Sequence, residues 1–476
     1  MKISILGGGI SGLSAAFYLS KLRQASAVSL YEAGSTFGGW IKSDKRDGYI
    51  FEAGPRTIRP KGIAGNATLE LIELLDLKKK VQPIRSNHPA AKNRMIYAKG
   101  ELCPLPSDIE GAIKVIPPFT KPLYHAGVKD FFGRKSKKPM IDESIYDFTN
   151  RRFGKEVADY LISAMICGIC AGDAKEISVK FLMKNIFETE QKFGSVTRGM
   201  LTDYLLNGKN RLRPKEFKPS HLFEKAKSEA WAIYTLEGGL QTLPDTIVEK
   251  LSEPGTVSLN SNAKCERIKF EVGGPVQLTV NGSNFTTDHL ISSVPSHRLG
   301  QMVKHQHPKL SEELQMIKSV DVAVINLYYE HDLLEWEGFG LLVPPMEKLP
   351  ILGIIFDSSC FNLTGKTVLT VMCGGKWFNE LFGKNPSEQQ LLDVALENVK
   401  KILGIDEKPD HAKVNILREC IPQYVVGHHD RVERIRKYIE ENKLPLSLCG
   451  ASYDGVGVND VILSAQHAVS QAIGLE

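Results

Sequence analysis

The 476-residue sequence predicts an α/β chain, an α+β composite that joins a Rossmann-like nucleotide-binding domain to a mixed-sheet domain and an inserted helical domain. Three observations carry that expectation. A glycine loop, Gly7-x-Gly9-x-x-Gly12, lies between an apolar strand pattern and a helix pattern. A helical texture broken by Pro117-Pro118 and Pro139 fills residues 100 to 220. Strand-like segments then recur over residues 256 to 295 and 320 to 375. At roughly 100 to 200 residues per domain, the length accommodates two to four of them.

In order along the chain, residues 2 to 32 form a βαβ unit: strand Ile3 to Leu6, the glycine loop, a helix from about Leu13 to Leu22, and strand Val28 to Tyr31. Tyr160 to Gly172 is the longest uncharged apolar run, shorter than the ~18 to 20 residues of a spanning helix, so it is expected in a core or at an interface. Val276, Leu278 and Val280 alternate, and Asn281-Gly282 supplies a type I′ hairpin turn. Strands are expected at Leu290 to Val294, Val322 to Tyr329, Ile351 to Phe356, Val368 to Met372 and Leu446 to Cys449. The last helix presents Val461, Ala465, Ala468, Val469 and Ala472 on one apolar face.

Composition narrows the function classes. With 42% hydrophobic and 24% charged residues the chain is an ordinary globular one. A net charge of +5, from 60 Lys plus Arg against 55 Asp plus Glu, is too small and dispersed for a nucleic-acid footprint. The eight cysteines are scattered, and Cys167-x-x-Cys170 has no second pair, so it lacks the ligands of a zinc site; two buried thiols and no metal are expected. The strand beginning at Lys2 leaves no room for a cleaved leader before the glycine loop.

In the loop Gly7, Gly8, Gly9, Ile10, Ser11, Gly12, the motif glycines Gly7, Gly9 and Gly12 each have a mechanical reason: a tight turn, backbone access to a pyrophosphate, and close helix-on-strand packing. Glu32, about 20 residues further on, stands where an acid accepts from ribose hydroxyls. A second pair, Gly38-Gly39-Trp40, and then Gly54-Pro55-Arg56 follow, which is not a plain dehydrogenase pattern. Near the other end, Gly450-Ala-Ser-Tyr-Asp-Gly-Val-Gly-Val-Asn-Asp460 opens the last helix, whose free N–H groups and positive dipole end suit a site where negative charge collects. Asn459 or Asp460 also suits a helix cap.

These glycine segments together resemble the flavin amine oxidase and protoporphyrinogen oxidase superfamily. Gly54-Pro-Arg-Thr-Ile-Arg-Pro60, His88-Pro-Ala-Ala-Lys-Asn-Arg94, Cys420-Ile-Pro-Gln-Tyr424 and the closing segment bring the likeness to the mitochondrial-type protoporphyrinogen oxidase family. The resemblance covers essentially the whole chain, with its motifs in order. It implies non-covalent FAD, held by a Rossmann-like domain of the flavin amine oxidase type over residues 1–85, 222–300 and 412–476. It implies a helical membrane-binding domain over 96–205, and a substrate domain over 86–95, 206–221 and 301–411.

The implied activity is oxidation of protoporphyrinogen IX to protoporphyrin IX by molecular oxygen, the penultimate step of haem biosynthesis. A hydride leaves a methylene bridge for flavin N5, hydrogen peroxide forms on reoxidation, and three rounds remove six electrons. The flavin carries the hard chemistry, and no general base stands out among the 12 histidines. The family likeness also implies a homodimer, hand-over of product to ferrochelatase, and a peripheral place on the intermembrane-space side of the mitochondrial inner membrane. Within the helical insertion, Lys121 to Lys138 places Phe131-Phe132 beside Arg134-Lys135-Ser136-Lys137-Lys138, a pattern open to either a monotopic lipid contact or a solvated loop.

Carried over residue by residue, the resemblance assigns FAD contacts to Gly7 to Gly12, Glu32, Ala33, Trp40, Gly54, Pro55, Arg56, Thr57, Cys265, Ala451, Val456, Gly457 and Val458. Arg94 matches an arginine that anchors a substrate propionate, as a guanidinium does bidentately. Leu342 and Ile355 match residues that sandwich a pyrrole, with Phe339 nearby, and Met372 stands where some members carry an aromatic residue. Gly168 matches a glycine that makes room for the macrocycle. Read without the resemblance, Arg94 is an ordinary surface arginine and the other five are core residues. Two other readings stand beside this one. A flavin amine oxidase lacks support because Gln423, not a flavin-linking cysteine, precedes Tyr424, and no aromatic follows Tyr453 to complete an amine cage. A non-redox GTPase dissociation inhibitor on a related fold is disfavoured by the intact glycine loop and Glu32.

Overall fold

The structure, a computed structural model, describes residues 1–107, 109–133, 140–207, 218–253, 255, 257–271, 273–361 and 363–475. The elements that position the site are, in chain order, β1 (Lys2–Leu6), α1 (Ile10–Ser20), β2 (Ala27–Tyr31), β3 (Arg94–Ala98), β4 (Glu101–Pro104), α2 (Tyr124–Phe132), α3 (Ser163–Cys170), α4 (Val196–Asn207) and β5 (Val257–Asn260). There follow β6 (His289–Ser292), β7 (Ser319–Tyr329), β8 (Gly340–Leu342), β9 (Ile351–Phe356), β10 (Thr367–Gly375), α5 (Glu388–Leu403), β11 (His411–Pro422), β12 (Leu446–Leu448) and α6 (Val458–Ala472). The chain divides into two compact units, one of Met1–Arg85, Pro219–Lys318 and Asp430–Glu476, the other of Ser86–Lys218 and Ser319–His429.

The first unit is built on a five-stranded parallel sheet in the order β12-β6-β1-β2-β5. A parallel sheet needs both faces covered, which explains the near-continuous apolar runs of β1 and β6. One cover is α1 packed on α6, with Leu13, Phe17, Ile462, Ala465 and Val469 in a common core. The apolar face expected of α6 is therefore buried throughout. Helix α1 begins at Ile10, three residues before the expected Leu13, because Gly9 is extended (φ −72°, ψ 177°) and its carbonyl already accepts from Leu13 N at 2.9 Å. The Asn281-Gly282 turn has both residues at positive φ, 47° and 76°, as a type I′ hairpin requires.

The second unit carries a seven-stranded sheet in the order β11-β7-β10-β9-β8-β3-β4, antiparallel except where β8 runs parallel to β3. One face is closed by α5: Met95, Tyr97, Leu341, Ile354, Phe356 and Val371 pack with Leu391, Ala395 and Val399. The described helices between residues 109 and 207 belong to this same unit. Within it, Tyr160 to Gly172 divides into a wide π-helical stretch, Val157–Ile162, and the regular helix α3. Buried ion pairs tie the helices together: Arg152 Nε donates to Asp130 Oδ1 at 2.6 Å, while Asp130 Oδ2 accepts from Ser195 Oγ and Thr197 N. Of the basic segment Lys121 to Lys138, residues 134 to 138 lie outside the described residues, and the part before them includes α2. No helix among the described residues is long and apolar enough to cross a membrane.

Candidate functional site

Every residue assigned to the cofactor lies in the first unit, and every residue assigned to the substrate lies in the second. In the first unit, the glycine loop leaves β1 and enters α1 with no side-chain cap and no acidic residue in the first turn, so the helix start is open to an anion. A Cβ on Gly12 would collide with the Gly7 carbonyl, and one on Gly8 would come within 2.6 Å of Phe37. At Gly9 the nearest atom to such a Cβ is Gly39 Cα, at 3.9 Å. Gly12 is thus glycine for packing, whereas the space beside Gly9 admits a ligand's close approach.

Glu32 accepts from Gly8 N at 2.7 Å through Oε2 and from Gly34 N at 2.6 Å through Oε1. The acid selected for ribose recognition therefore also shapes the loop it follows. Ala33, next to it in the chain, and Trp40 are exposed, Gly38 bridges Gly9, and Arg56 is buried. Asn262 N and Ala263 N donate to the carbonyls of Gly34 and Glu32, which brings the start of the Cys265–Phe270 strand close to Glu32. Cys265 itself is buried, its thiol pushed up to about 12 by burial.

The closing segment comes to the same unit's glycine motifs. Asn459 Nδ2 donates to the Arg59 carbonyl at 2.8 Å, joining residues 400 positions apart. Gly457 caps α6, and its N–H donates to Asp460 Oδ2 at 3.1 Å, with burial raising the Asp460 carboxyl above its usual range. Ser464 donates to Asp454, which Arg436 holds at 2.6 Å, so the loop of Ala451 and Val456 is tied to α6 and to the helix before it. Asn459 Oδ1 is buried with no hydrogen-bond partner among the described residues, an acceptor left at the mouth of α6. The uncapped start of α1, the open cradle at Gly9 and this unused acceptor at the start of α6 fit a dinucleotide flavin.

In the second unit the register brings together the residues that the resemblance assigns to the substrate. Arg94 pairs with Gly340, Gly340 with Ile355, and Ile355 with Thr370; two positions along each strand, Ile96, Leu342, Gly353 and Met372 form the next row. Residues two apart share a face, so Arg94, Leu342, Ile355 and Met372 all project from the side opposite the α5 core. Leu342, Ile355, Met372 and the adjoining Phe339 are half-buried and Arg94 is exposed. Phe339 donates its N–H to Asn93 and accepts from Phe356 N, which places it at the head of β8.

Helix α3 covers this face at Gly168, where a Cβ would come within 2.7 Å of Leu342 Cδ2. Gly168 is itself exposed, so its bare backbone borders open space as well as Leu342. The flanking Cys167 and Cys170 are buried free thiols, both held protonated by burial, Cys170 at about 12. The same sheet face carries a buried polar chain that sequence reasoning missed: Asn326 Nδ2 donates to Thr370 Oγ1 at 2.8 Å, and Thr370 Oγ1 to Asp357 Oδ2 at 2.5 Å. Strand polarity alone gave no signal for it; only the pairing of β7, β10 and β9 does.

A family model for flavin containing amine oxidoreductase matches residues 10–473. The chain is 38% identical to the protoporphyrinogen oxidase of Bos taurus, covering 100% of this chain and 98% of the relative. It is 34% identical to that of Schizosaccharomyces pombe, over 100% and 99%. A crystal structure from Exiguobacterium sp. 255-15, provisionally named a protoporphyrinogen oxidase, aligns over 100% of this chain and 99% of that one with a TM-score of 0.79; at 22% identity that likeness speaks for the fold. A match from the glycine loop to the last helix, with end-to-end relatives well above 30% identity, makes the chain a member of the flavin-containing amine oxidoreductase family, in its protoporphyrinogen oxidase branch.

Proposed function

We propose that the chain is an FAD-dependent oxidase that converts protoporphyrinogen IX to protoporphyrin IX with molecular oxygen in haem biosynthesis. The observation that carries this reading is the sheet face on which Arg94 stands at the edge of an apolar surface of Leu342, Ile355 and Met372, with Gly168 leaving room above it. When bound, FAD supplies two-electron acceptance from carbon and delivery to oxygen, and three such rounds take six electrons and six protons from the substrate and yield three hydrogen peroxides. Arg94 pairs a propionate carboxylate and so fixes which edge of the macrocycle faces outward. Leu342, Ile355 and Met372 exclude water from the ring face. Asn459 and the α6 start hold the cofactor non-covalently, since Gln423 offers no thiol for a flavin link.

The membrane contact, homodimer, transfer of product to ferrochelatase, mitochondrial inner-membrane location and three-part domain division belong to the same proposal. Lipid contact is supported by α2 and α4, which pack together and expose Tyr124, Val128 and Phe132 on one and Leu201, Leu205 and Leu206 on the other. Phe132, Leu205 and Leu206 are each more than 70% exposed, far beyond what a helix facing only water would leave uncovered.

The test is anaerobic mixing of the purified, detergent-solubilised protein with freshly reduced protoporphyrinogen IX, in parallel with a panel of amines. Bleaching of the flavin spectrum by the porphyrinogen, then porphyrin fluorescence rising in air above the spontaneous rate, is the expected result. Bleaching by amines alone would overturn the substrate, and a colourless protein would overturn the redox reading altogether.

A further inference from the structure

We propose that Gln423 is a positioning residue for tetrapyrrole binding: by capping the last turn of α3 it fixes the height of that helix over the sheet face, and with it the clearance at Gly168. The inference rests on the oxidase reading above and concerns a residue that does not itself line the apolar face.

A helix leaves its last carbonyls without intrahelical partners, and buried ones need partners from elsewhere. Helix α3 ends at Cys170, and Ala171 follows in the left-handed region at φ 49°, without the glycine usual there. Three groups fix that end. Gln423 is buried, and its Nε2 donates to the Cys170 carbonyl at 2.9 Å and, more weakly, to Ile421 O at 3.3 Å. The Lys376 N–H donates to the Ala171 carbonyl at 2.8 Å, directly after β10. Cys167 Sγ contacts the Gly172 carbonyl at 3.5 Å.

The surroundings are shaped to this socket. A Cβ at Gly375 would collide with the Ala171 carbonyl oxygen, and one at Gly172 would collide with Gln423 Oε1. Both positions must therefore stay bare for the helix end to seat. Because β10 and β11 lie on either side of β7, Lys376 and Gln423 grip the end of α3 from two sides of that strand. Only two residues, about 3 Å of helical rise, separate Cys170 from Gly168. A small lift of the capped end is then felt at Gly168, where the margin against Leu342 is less than one methyl group.

The step from cap to binding is mechanical. The apolar face is half-open, and a flat macrocycle lying on it borders α3 at Gly168; the room there is set by how firmly α3 is held against Leu342. Loss of the Gln423 amide leaves the Cys170 carbonyl buried and unpaired, so the last turn shifts toward any other donor or toward water. Arg94 and the cofactor residues are untouched by that shift.

The experiment compares Gln423→Met, which keeps the volume and removes the donor, with Gln423→Ala and with Gly168→Ala, in the flavin-loaded full chain. Expected for both Gln423 variants are a KM for protoporphyrinogen IX raised about tenfold, kcat within about twofold, unchanged flavin content and faster amide exchange across residues 163 to 172. Combining Gln423→Met with Gly168→Ala should raise KM by clearly less than the product of the single effects, because both act on one gap. Wild-type KM in Gln423→Met, whether or not exchange quickens, would overturn the proposal, as would strict multiplicativity in the double variant. If the wild type does not turn over porphyrinogen, the oxidase reading fails; fluorescence titration with protoporphyrin IX still decides this one, since equal affinity in wild type and Gln423→Met would sink it.

Discussion

The Cδ2 methyl of Leu342 lies where a Cβ on Gly168 would approach it to 2.7 Å, so the bare Gly168 backbone of α3 packs directly against the Leu342 side chain of β8. Gly168→Ala closes that contact. Because Gly168 is exposed and helical, the variant should fold with full flavin content while KM for the porphyrinogen rises about tenfold. Steady-state kinetics with parallel flavin absorbance checks it, and an unchanged KM would remove Gly168 from the site.

Arg94 stands at the β3 end of its row on the proposed substrate face, beside Gly340 and Ile355. Arg94→Ala should weaken porphyrinogen binding by about 10- to 100-fold, the size of a charge-assisted hydrogen bond, and leave the flavin spectrum unaltered. Arg94→Lys should recover only part of the loss, since an ammonium cannot match a carboxylate with two parallel donors. Equal KM values for wild type and Arg94→Ala would refute the propionate assignment.

How these residues come together was only half legible in the sequence. Gly7 to Gly12, Glu32 and the hairpin at Asn281-Gly282 are local signals, each within one turn or one βαβ unit, and the structure bears out their conformations. The start of α1 shifted by three residues because Gly9 caps the helix through its backbone, which leaves no side-chain signature. The common face of Arg94, Leu342, Ile355 and Met372 depends on β3 pairing with β8, a partner some 240 positions away, and no periodicity encodes a register. Asn326, Thr370 and Asp357 were invisible for the same reason, and Gln423 appeared only as part of a motif until its amide was seen on Cys170.

Gly9 and Gly12 should fail differently. Gly9→Val places its Cβ in no more than ordinary contact with Gly39 Cα, at 3.9 Å, and suits the φ of −72°, so the protein should fold with a Tm near wild type yet purify without flavin. Gly12→Ala drives a methyl into the Gly7 carbonyl and should cost stability directly, by about 2 kcal/mol or more. Thermal unfolding of apo and flavin-reconstituted samples separates the two, and identical Tm losses would contradict the division of roles.

His289 in β6 is largely buried, shares a hydrogen bond of 2.9 Å with Ser447 Oγ, and has its pKa lowered by burial to about 4. The unfolded chain takes up this proton near pH 6.5 and the folded chain only near pH 4, so the unfolded state binds more protons between those values. Stability from this group is complete above pH 6.5 and falls as pH drops toward 4, by at most roughly 3 kcal/mol. His289→Gln should flatten that part of the Tm against pH curve; a slope equal to wild type would show that the fall has another source.

The lipid proposal makes its own demand on α2 and α4. Leu205→Lys with Leu206→Lys should cut sedimentation with anionic vesicles at least several-fold and leave turnover in detergent near wild type, since those side chains are largely exposed. Unaltered partitioning would place the membrane contact elsewhere or nowhere.

The bond from Asn459 to the Arg59 carbonyl also sets a clock on biosynthesis. A ribosome adding roughly 5 to 20 residues per second needs about 20 to 80 s to make the 400 residues between them. Throughout that interval the glycine loop and Glu32 have already been made, but the start of α6 that completes the cradle has not. If the start of α6 holds the cofactor as proposed, its capture is deferred to the final moments of synthesis, and a chain cut short just before Gly450 should emerge colourless with all of its proposed substrate face already encoded.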